Sequence, residues 1–200
     1  FRSVKQMGIP LEVLQKWSAQ GKSENSKNTY ASLRKVIDDR YGSNVEIFLQ
    51  GSYHNATHVK ENSDIDVVVI HKNLVVNNTL YGTYGLDNLR AWKLSLYNNI
   101  QGAQNFHFTL GGKTIKYAGN INYVPADIVP CAYYKSPIIG SAVGTIMYDS
   151  KVNRYFVNYP KQHYDNGATK SGYTDGNYKK TVRMFKNARN LAVKKGLLNS

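Results

Sequence analysis

The chain has little that would tie it to an oxidising or a membrane setting. It holds a single cysteine, Cys131, so neither an internal disulfide nor a cysteine-rich zinc site can form, and the expected location is the reducing cytoplasm. No run of about 18 apolar residues occurs, so no segment reads as a membrane-spanning helix and no membrane partner is expected. The start lacks a charged-then-apolar signal pattern. It also lacks an initiator Met: the sequence opens at Phe1, and Leu197–Ser200 follow a long helix signal, so the ends read as cuts as much as natural termini. Internal repeats and low-complexity tracts are absent. No serine, histidine and aspartate grouping calls for a hydrolase triad. His54 and His58 are four apart, but no third zinc ligand accompanies them.

Acidic residues are also scarce, with 13 against 26 basic ones and a net charge of +13. Such a chain attracts polyanions, so nucleotides are expected partners and weak nucleic-acid binding through a basic surface is expected beside them. A basic surface kept for solubility is the bland alternative. What is present is enough for one well-cored domain: 200 residues, 42% of them apolar.

The pattern alternates helix and strand signals. Pro10 opens a helix carrying Leu11, Leu14 and Trp17, and Gly21 ends it. Asn25–Tyr41 predicts a second helix, stopped by Gly42. Val45–Leu49 reads as a strand and Asp64–His71 as a covered central one, because its run is apolar on both faces. A polar loop is expected around Asn77, Asn78 and Gly82, then a helix through Leu86, Leu89, Leu96 and Ile100. Phe106–Leu110 and Lys113–Tyr117 predict a hairpin about Gly111-Gly112, Ile121–Tyr134 an extended segment, and Thr145–Tyr148 and Val152–Val157 short strands. Pro160–Asp175 reads as a polar loop and Tyr178–Lys195 as a helix. The fold class is α+β, a mixed twisted sheet with helices packed on one side.

The chemistry concentrates in Gln50-Gly51-Ser52-Tyr53 and Asp64-Ile65-Asp66-Val67-Val68-Val69. Strand side chains alternate, so Asp64 and Asp66 point the same way. Two carboxylates on one face raise each other's pKa unless a cation sits between them. Hard oxygen ligands of this kind suit Mg²⁺, which takes one or two carboxylates together with substrate phosphates. Gly51 lets the backbone approach an anion, and the Ser52 hydroxyl with the following amides can hold phosphate oxygens.

A Gly-Ser turn, then Asp-x-Asp on the next strand and a later carboxylate resembles the DNA polymerase beta-like nucleotidyltransferase superfamily. The third carboxylate is Asp127, in Val124-Pro125-Ala126-Asp127-Ile128-Val129-Pro130. Thr57, Ser63 and Tyr178-Lys179…Val182-Arg183…Lys186…Arg189 narrow the resemblance to the cyclic GMP-AMP synthase and oligoadenylate synthetase branch, most of all its bacterial members, the CD-NTases of antiphage signalling. That resemblance implies two Mg²⁺ ions, with Mn²⁺ as a substitute, on Asp64, Asp66 and Asp127. It implies ribonucleoside triphosphates as substrates, a cyclic di- or trinucleotide as product and a regulatory protein partner. Gly51 and Ser52 would hold the nucleotide together with Lys186, Arg183 and Lys170, and Asp127 would assist deprotonation of the attacking hydroxyl. The chain departs from many relatives at Tyr53-His54-Asn55-Ala56-Thr57, where they carry an arginine and a glycine. The C-terminal helical half expected of the family is missing or very short.

On the last helix, Tyr178, Val182, Phe185, Ala188 and Ala192 form an apolar face, and Lys179, Arg183, Lys186 and Asn190 fall opposite them. The expected organisation is 1–44 as N-terminal helices packing on the core, 45–175 as the catalytic core, and 176–200 as the start of a C-terminal helical region. A linear oligonucleotide synthetase, a transferase acting on RNA or protein, and an inactive nucleic-acid-binding module remain alternatives to cyclic-nucleotide synthesis.

Overall fold

A computed structural model describes residues 8–21, 24–59, 64–79, 82–136 and 143–199; Ser63 lies outside them. Alternation of side chains along three neighbouring strands, β1 (Val45–Gln50), β2 (Ile65–Thr79) and β6 (Ala126–Lys135), gives the sheet two unlike faces. On the first face, Val45 and Ile47 of β1, Ile65, Val67 and Val69 of β2, and Ala126 and Ile128 of β6 join one buried cluster. Leu33 and Ile37 of α2 (Glu24–Tyr41) and Leu89, Trp92, Leu96 and Ile100 of α4 (Leu86–Ile100) complete it. All six of those helix residues recur at three- or four-residue spacing within their helices, the stripe a sheet-packing helix requires. On the second face, Val68, Ile70, Val129 and Cys131 form a smaller cluster with Phe48, Tyr133 and Met147 against it.

The sheet is mixed. β1 runs antiparallel to β2, and β2 parallel to β6. The first half of β6 pairs with β5 (Ile115–Tyr117), itself in a hairpin with β4 (Phe108–Leu110). Its second half pairs with β7 (Val143–Asp149), and β8 (Arg154–Asn158) follows at the edge. Pro130 sits between those two halves, where its missing N–H falls between ladders.

Three expectations need correction. β2 does not stop at His71 but continues to Thr79, with a register shift between Ile70 and Val75. Its polar end is held by ladder pairing to β6 and to β3 (Gly82–Tyr84), which overrides composition. Residues 160–175 are not a loop: α5 spans Pro160–Tyr173. It buries no residue, so no apolar period marked it, and Pro160 at its first position with the Lys161–Asp165 pair at 2.6 Å are its local supports. The extended segment foreseen from Ile121 begins as a strand only at Ala126. The helices α1 (Leu11–Ser18) and α6 (Asn177–Lys194) lie where expected and pack on each other. No helix of the described residues is long and apolar enough to cross a membrane.

Candidate active site

Strand register builds the site as a row. Gln50 on β1 is the partner of Asp66 on β2, Asp66 of Asp127 on β6, and Asp127 of Lys116 on β5. Neighbouring strands lie about 4.8 Å apart, and these positions share the second face with Val68, Ile70, Val129 and Cys131. Both Asp66 and Asp127 are half-buried, whereas Asp64 is exposed just before β2.

The Asp66 carboxyl is pushed up from 3.8 to about 6, first by desolvation, then by the charges of Asp127 and Asp64. Among the described residues no donor and no cation offsets this, since Asp66 makes neither a hydrogen bond nor an ion pair. Directly beneath it runs Gly51, at φ +73°, where a Cβ would stand 2.1 Å from Asp66 Oδ2. Glycine is therefore required twice, for its left-handed backbone and for the space the carboxylate occupies. Gly51 and Ser52 open a one-turn helix, α3 (Gly51–His54), rather than a simple turn.

No group of three His, Cys, Asp or Glu side chains converges in ligand geometry among the described residues. The donor set nevertheless fits Mg²⁺, which needs one or two carboxylates and takes its other ligands from water and phosphate. Asp66 and Asp127 supply two, and the unrelieved charge at Asp66 is what a cation would offset.

Lys186, half-buried on α6, lies against the same turn. Its Nζ donates to the Thr57 carbonyl at 3.0 Å, and Thr57 N donates to the Ser52 carbonyl at 2.9 Å. Burial lowers the Lys186 ammonium from its ordinary value. Arg183 is the buried residue of α6. Its Nε donates to the Ser18 carbonyl at 2.5 Å and its Nη1 to the Ala56 carbonyl at 2.6 Å, so it ties α1 to the loop behind α3. Lys170 stays exposed in the last turn of α5, 5.3 Å above the Tyr178 ring.

The Lys179, Arg183, Lys186 and Asn190 stripe faces inward, while Phe185 is 73% exposed. The reason is what α6 meets. It packs along α1 and is gripped at carbonyls near the end of that helix, by Arg183 to Ser18 and by Asn187 Nδ2 to the Trp17 carbonyl at 3.0 Å.

A cavity of about 520 Å³ opens beside the row on the second face, within the range of small-ligand pockets. Phe48, Gln50 and Ile70 of the sheet form one wall and His54 of α3 with Tyr164 of α5 another, their rings 4.6 Å apart. Sequence reasoning gave no role to Gln50, whose buried Oε1 has no partner among the described residues, and did not single out Thr114, whose Oγ1 donates to Asp127 Oδ1 at 3.2 Å. Strand pairing brings Gln50 beside Asp66, and the turn before β5 brings Thr114 to Asp127. His58 is buried, with Nε2 2.9 Å from the Gly21 carbonyl.

Residues 31–152 match the nucleotidyltransferase domain family, and residues 165–200 match the cGAS/DncV-like nucleotidyltransferase C-terminal helical domain. The cyclic UMP-AMP synthase of Rhodothermus marinus is 35% identical over 95% of this chain and 71% of its own length. The cyclic dipurine nucleotide synthase of Elizabethkingia meningoseptica is 30% identical over 80% of this chain and 60% of its own. A solved structure of the Rhodothermus marinus enzyme with Apcpp and Upnpp superposes with a TM-score of 0.81 at 33% identity, covering 96% of this chain and 70% of that one. With the domain matches and these relatives in hand, the chain belongs to the CD-NTase family of nucleotidyltransferases.

Proposed function

We propose that this chain transfers a nucleotidyl group from a ribonucleoside triphosphate to a nucleotide hydroxyl and forms a cyclic di- or trinucleotide, a second messenger of the kind used in antiphage defence. The observation that carries the reading is the Asp66–Asp127 register pair, with Asp66 seated on Gly51 and, among the described residues, left without donor or cation. Asp64, Asp66 and Asp127 would hold two Mg²⁺ ions, or Mn²⁺ in their place. When bound, the ions would lower the pKa of the attacking hydroxyl and neutralise charge on the phosphates.

The chain's own groups supply position. Ser52 would hold phosphate oxygens from the opening of α3, and its hydroxyl makes no hydrogen bond among the described residues. Lys186 would exchange its Thr57 contacts for the triphosphate, at little cost in reach because Thr57 already hangs on Ser52. Asp127 would accept the proton of the attacking hydroxyl. Arg183 would act through the Ala56 loop it clamps, and Lys170 at the rim would attract the nucleotide. The cavity lined by Phe48, Ile70 and the His54–Tyr164 pair would take a base, by apolar contact and stacking. Cyclic rather than linear product is supported by what the relatives of Rhodothermus marinus and Elizabethkingia meningoseptica are called.

The test is incubation with each labelled NTP and in pairs, with Mg²⁺ or Mn²⁺, followed by phosphatase and chromatography. A phosphatase-resistant product that is absent with Asp66→Asn is expected. A product whose mobility changes on phosphatase treatment, through loss of its terminal phosphates, would favour a linear oligonucleotide, and full turnover by Asp66→Asn would remove the carboxylate assignment.

A further inference from the structure

The two paired carboxylates are not equivalent. Asp66 accepts no hydrogen bond among the described residues, whereas Asp127 Oδ1 accepts one from Thr114 Oγ1 at 3.2 Å. Thr114 belongs to the tip of the β4–β5 hairpin, closed by Gly111 N donating to the Thr114 carbonyl at 2.8 Å. This tip has an unusual support. Lys93 of α4 is buried at 4% exposure, and its Nζ donates to the Gly111 carbonyl at 2.7 Å, to the Gly112 carbonyl, and to Ser150 Oγ at 3.3 Å.

An ammonium has three protons to donate, and here all three go to the hairpin tip and the neighbouring β7–β8 turn. Ser150 N also donates to the Gly112 carbonyl, at 3.0 Å, which locks the two turns together. Burying a cation is costly unless its donors are met. A core position on the inner stripe of α4 would ordinarily hold a leucine. The carbonyls of a Gly-Gly turn could face water at no cost, so packing alone does not call for a lysine. What the lysine gains is a hairpin tip held at three points, and among the described residues that tip carries the side chain that hydrogen-bonds Asp127.

We propose that Thr114 is a positioning residue for Asp127, and that buried Lys93 fixes the turn which carries it. One carboxylate oxygen is held in place and the other is left for a divalent cation. This inference rests on the metal-dependent reading given above. Hydrogen-bonding partners of metal-binding carboxylates commonly change metal affinity about 10–100-fold when removed.

The experiment measures Mn²⁺ binding to the intact chain with a non-hydrolysable ATP analogue, by paramagnetic resonance of the free ion, alongside melting temperature. Thr114→Val keeps the shape of the side chain and removes the hydroxyl; its Mn²⁺ dissociation constant is expected to rise about 10-fold with the melting temperature unchanged. Thr114→Ser keeps the hydroxyl and is expected to bind like the parent. Lys93→Met is expected to weaken Mn²⁺ binding as Thr114→Val does, and the double variant no more than either. Asp66→Asn separates the two claims. If it binds Mn²⁺ as well as the parent, the metal reading fails, and the inference with it. If it loses Mn²⁺ while Thr114→Val binds as the parent does, or if Thr114→Ser is as weak as Thr114→Val, the positioning role alone is overturned.

Discussion

The two faces of the central sheet follow different rules. The first is dry: Ile65, Val67 and Ile128 are fully buried under Leu33, Ile37 and Leu96 of the helices above. The second carries Asp66, Asp127 and an open cavity, and its apolar cluster has four buried residues. The same strands supply both faces, by alternation alone. One face therefore sets whether the chain folds, and the other sets what it does once folded. Substitutions on the first should reduce stability before activity, and on the second activity before stability.

The largest break of that comparison is expected from Leu96→Ala. Leu96 is fully buried between α4 and the sheet, and truncating such a side chain costs about 2–5 kcal/mol through lost transfer energy and a residual cavity. Denaturant unfolding should show the loss in midpoint with the slope unchanged. Nucleotide affinity of the fraction that remains folded should be preserved. A large loss of affinity at unchanged stability would show that the two faces are not separable in this way.

A smaller effect of mixed kind is expected at the seam between the faces. Gly51→Ala places a Cβ where Asp66 Oδ2 now stands and forces a left-handed backbone on alanine. The backbone strain costs about 1–2 kcal/mol, and the carboxylate must rotate away. The outcome expected is a modest fall in melting temperature with loss of Mg²⁺-dependent nucleotide binding, measured by titration calorimetry. Retained binding would mean that the seat of Asp66 on Gly51 is not needed.

How legible each face was follows from the same physics. Burial leaves a period in the sequence, so α2, α4, β1, the start of β2 and the α+β class could be read from apolar spacing. The Gly51-Ser52 and Asp64-x-Asp66 motif was legible because close approach and paired charge demand particular residue types in a short span. α5 was not, because it buries no residue and so leaves no stripe. The inward reach of Arg183 was not legible either, because it ends on backbone carbonyls, and a carbonyl has no signature in sequence. The roles of Thr114 and Gln50 could not be read for a related reason. Gln50 lies beside Asp66 through the β1–β2 register and Thr114 reaches Asp127 from the turn before β5, and both placements are set by pairing between distant segments.

The smallest expected effect sharpens the comparison most, because its sign is opposite to that of a core substitution. In the folded chain the Asp66 carboxyl is raised from 3.8 to about 6 by desolvation and by two neighbouring carboxylates. A carboxyl raised in the folded state binds its proton more tightly there than in the unfolded chain. Stability is therefore lost as pH rises between about 4 and 6, and the penalty is complete above that window. An elevation of that size corresponds to about 3 kcal/mol before solvent screening, and to about 1 kcal/mol once partial exposure is allowed for. Asp66→Asn removes the charge, so without divalent ions at pH 7.5 it should melt about 2–4 °C higher than the parent. At pH 4, where Asp66 is protonated in the folded parent, the gain should shrink towards zero. Adding Mg²⁺ with a non-hydrolysable NTP should reverse the order, because ligand stabilises only the chain that binds it. Melting curves at the two pH values, with and without the ligands, decide the matter. An Asp66→Asn variant less stable than its parent at pH 7.5 without metal would mean that Asp66 holds the fold together rather than being held in place by it.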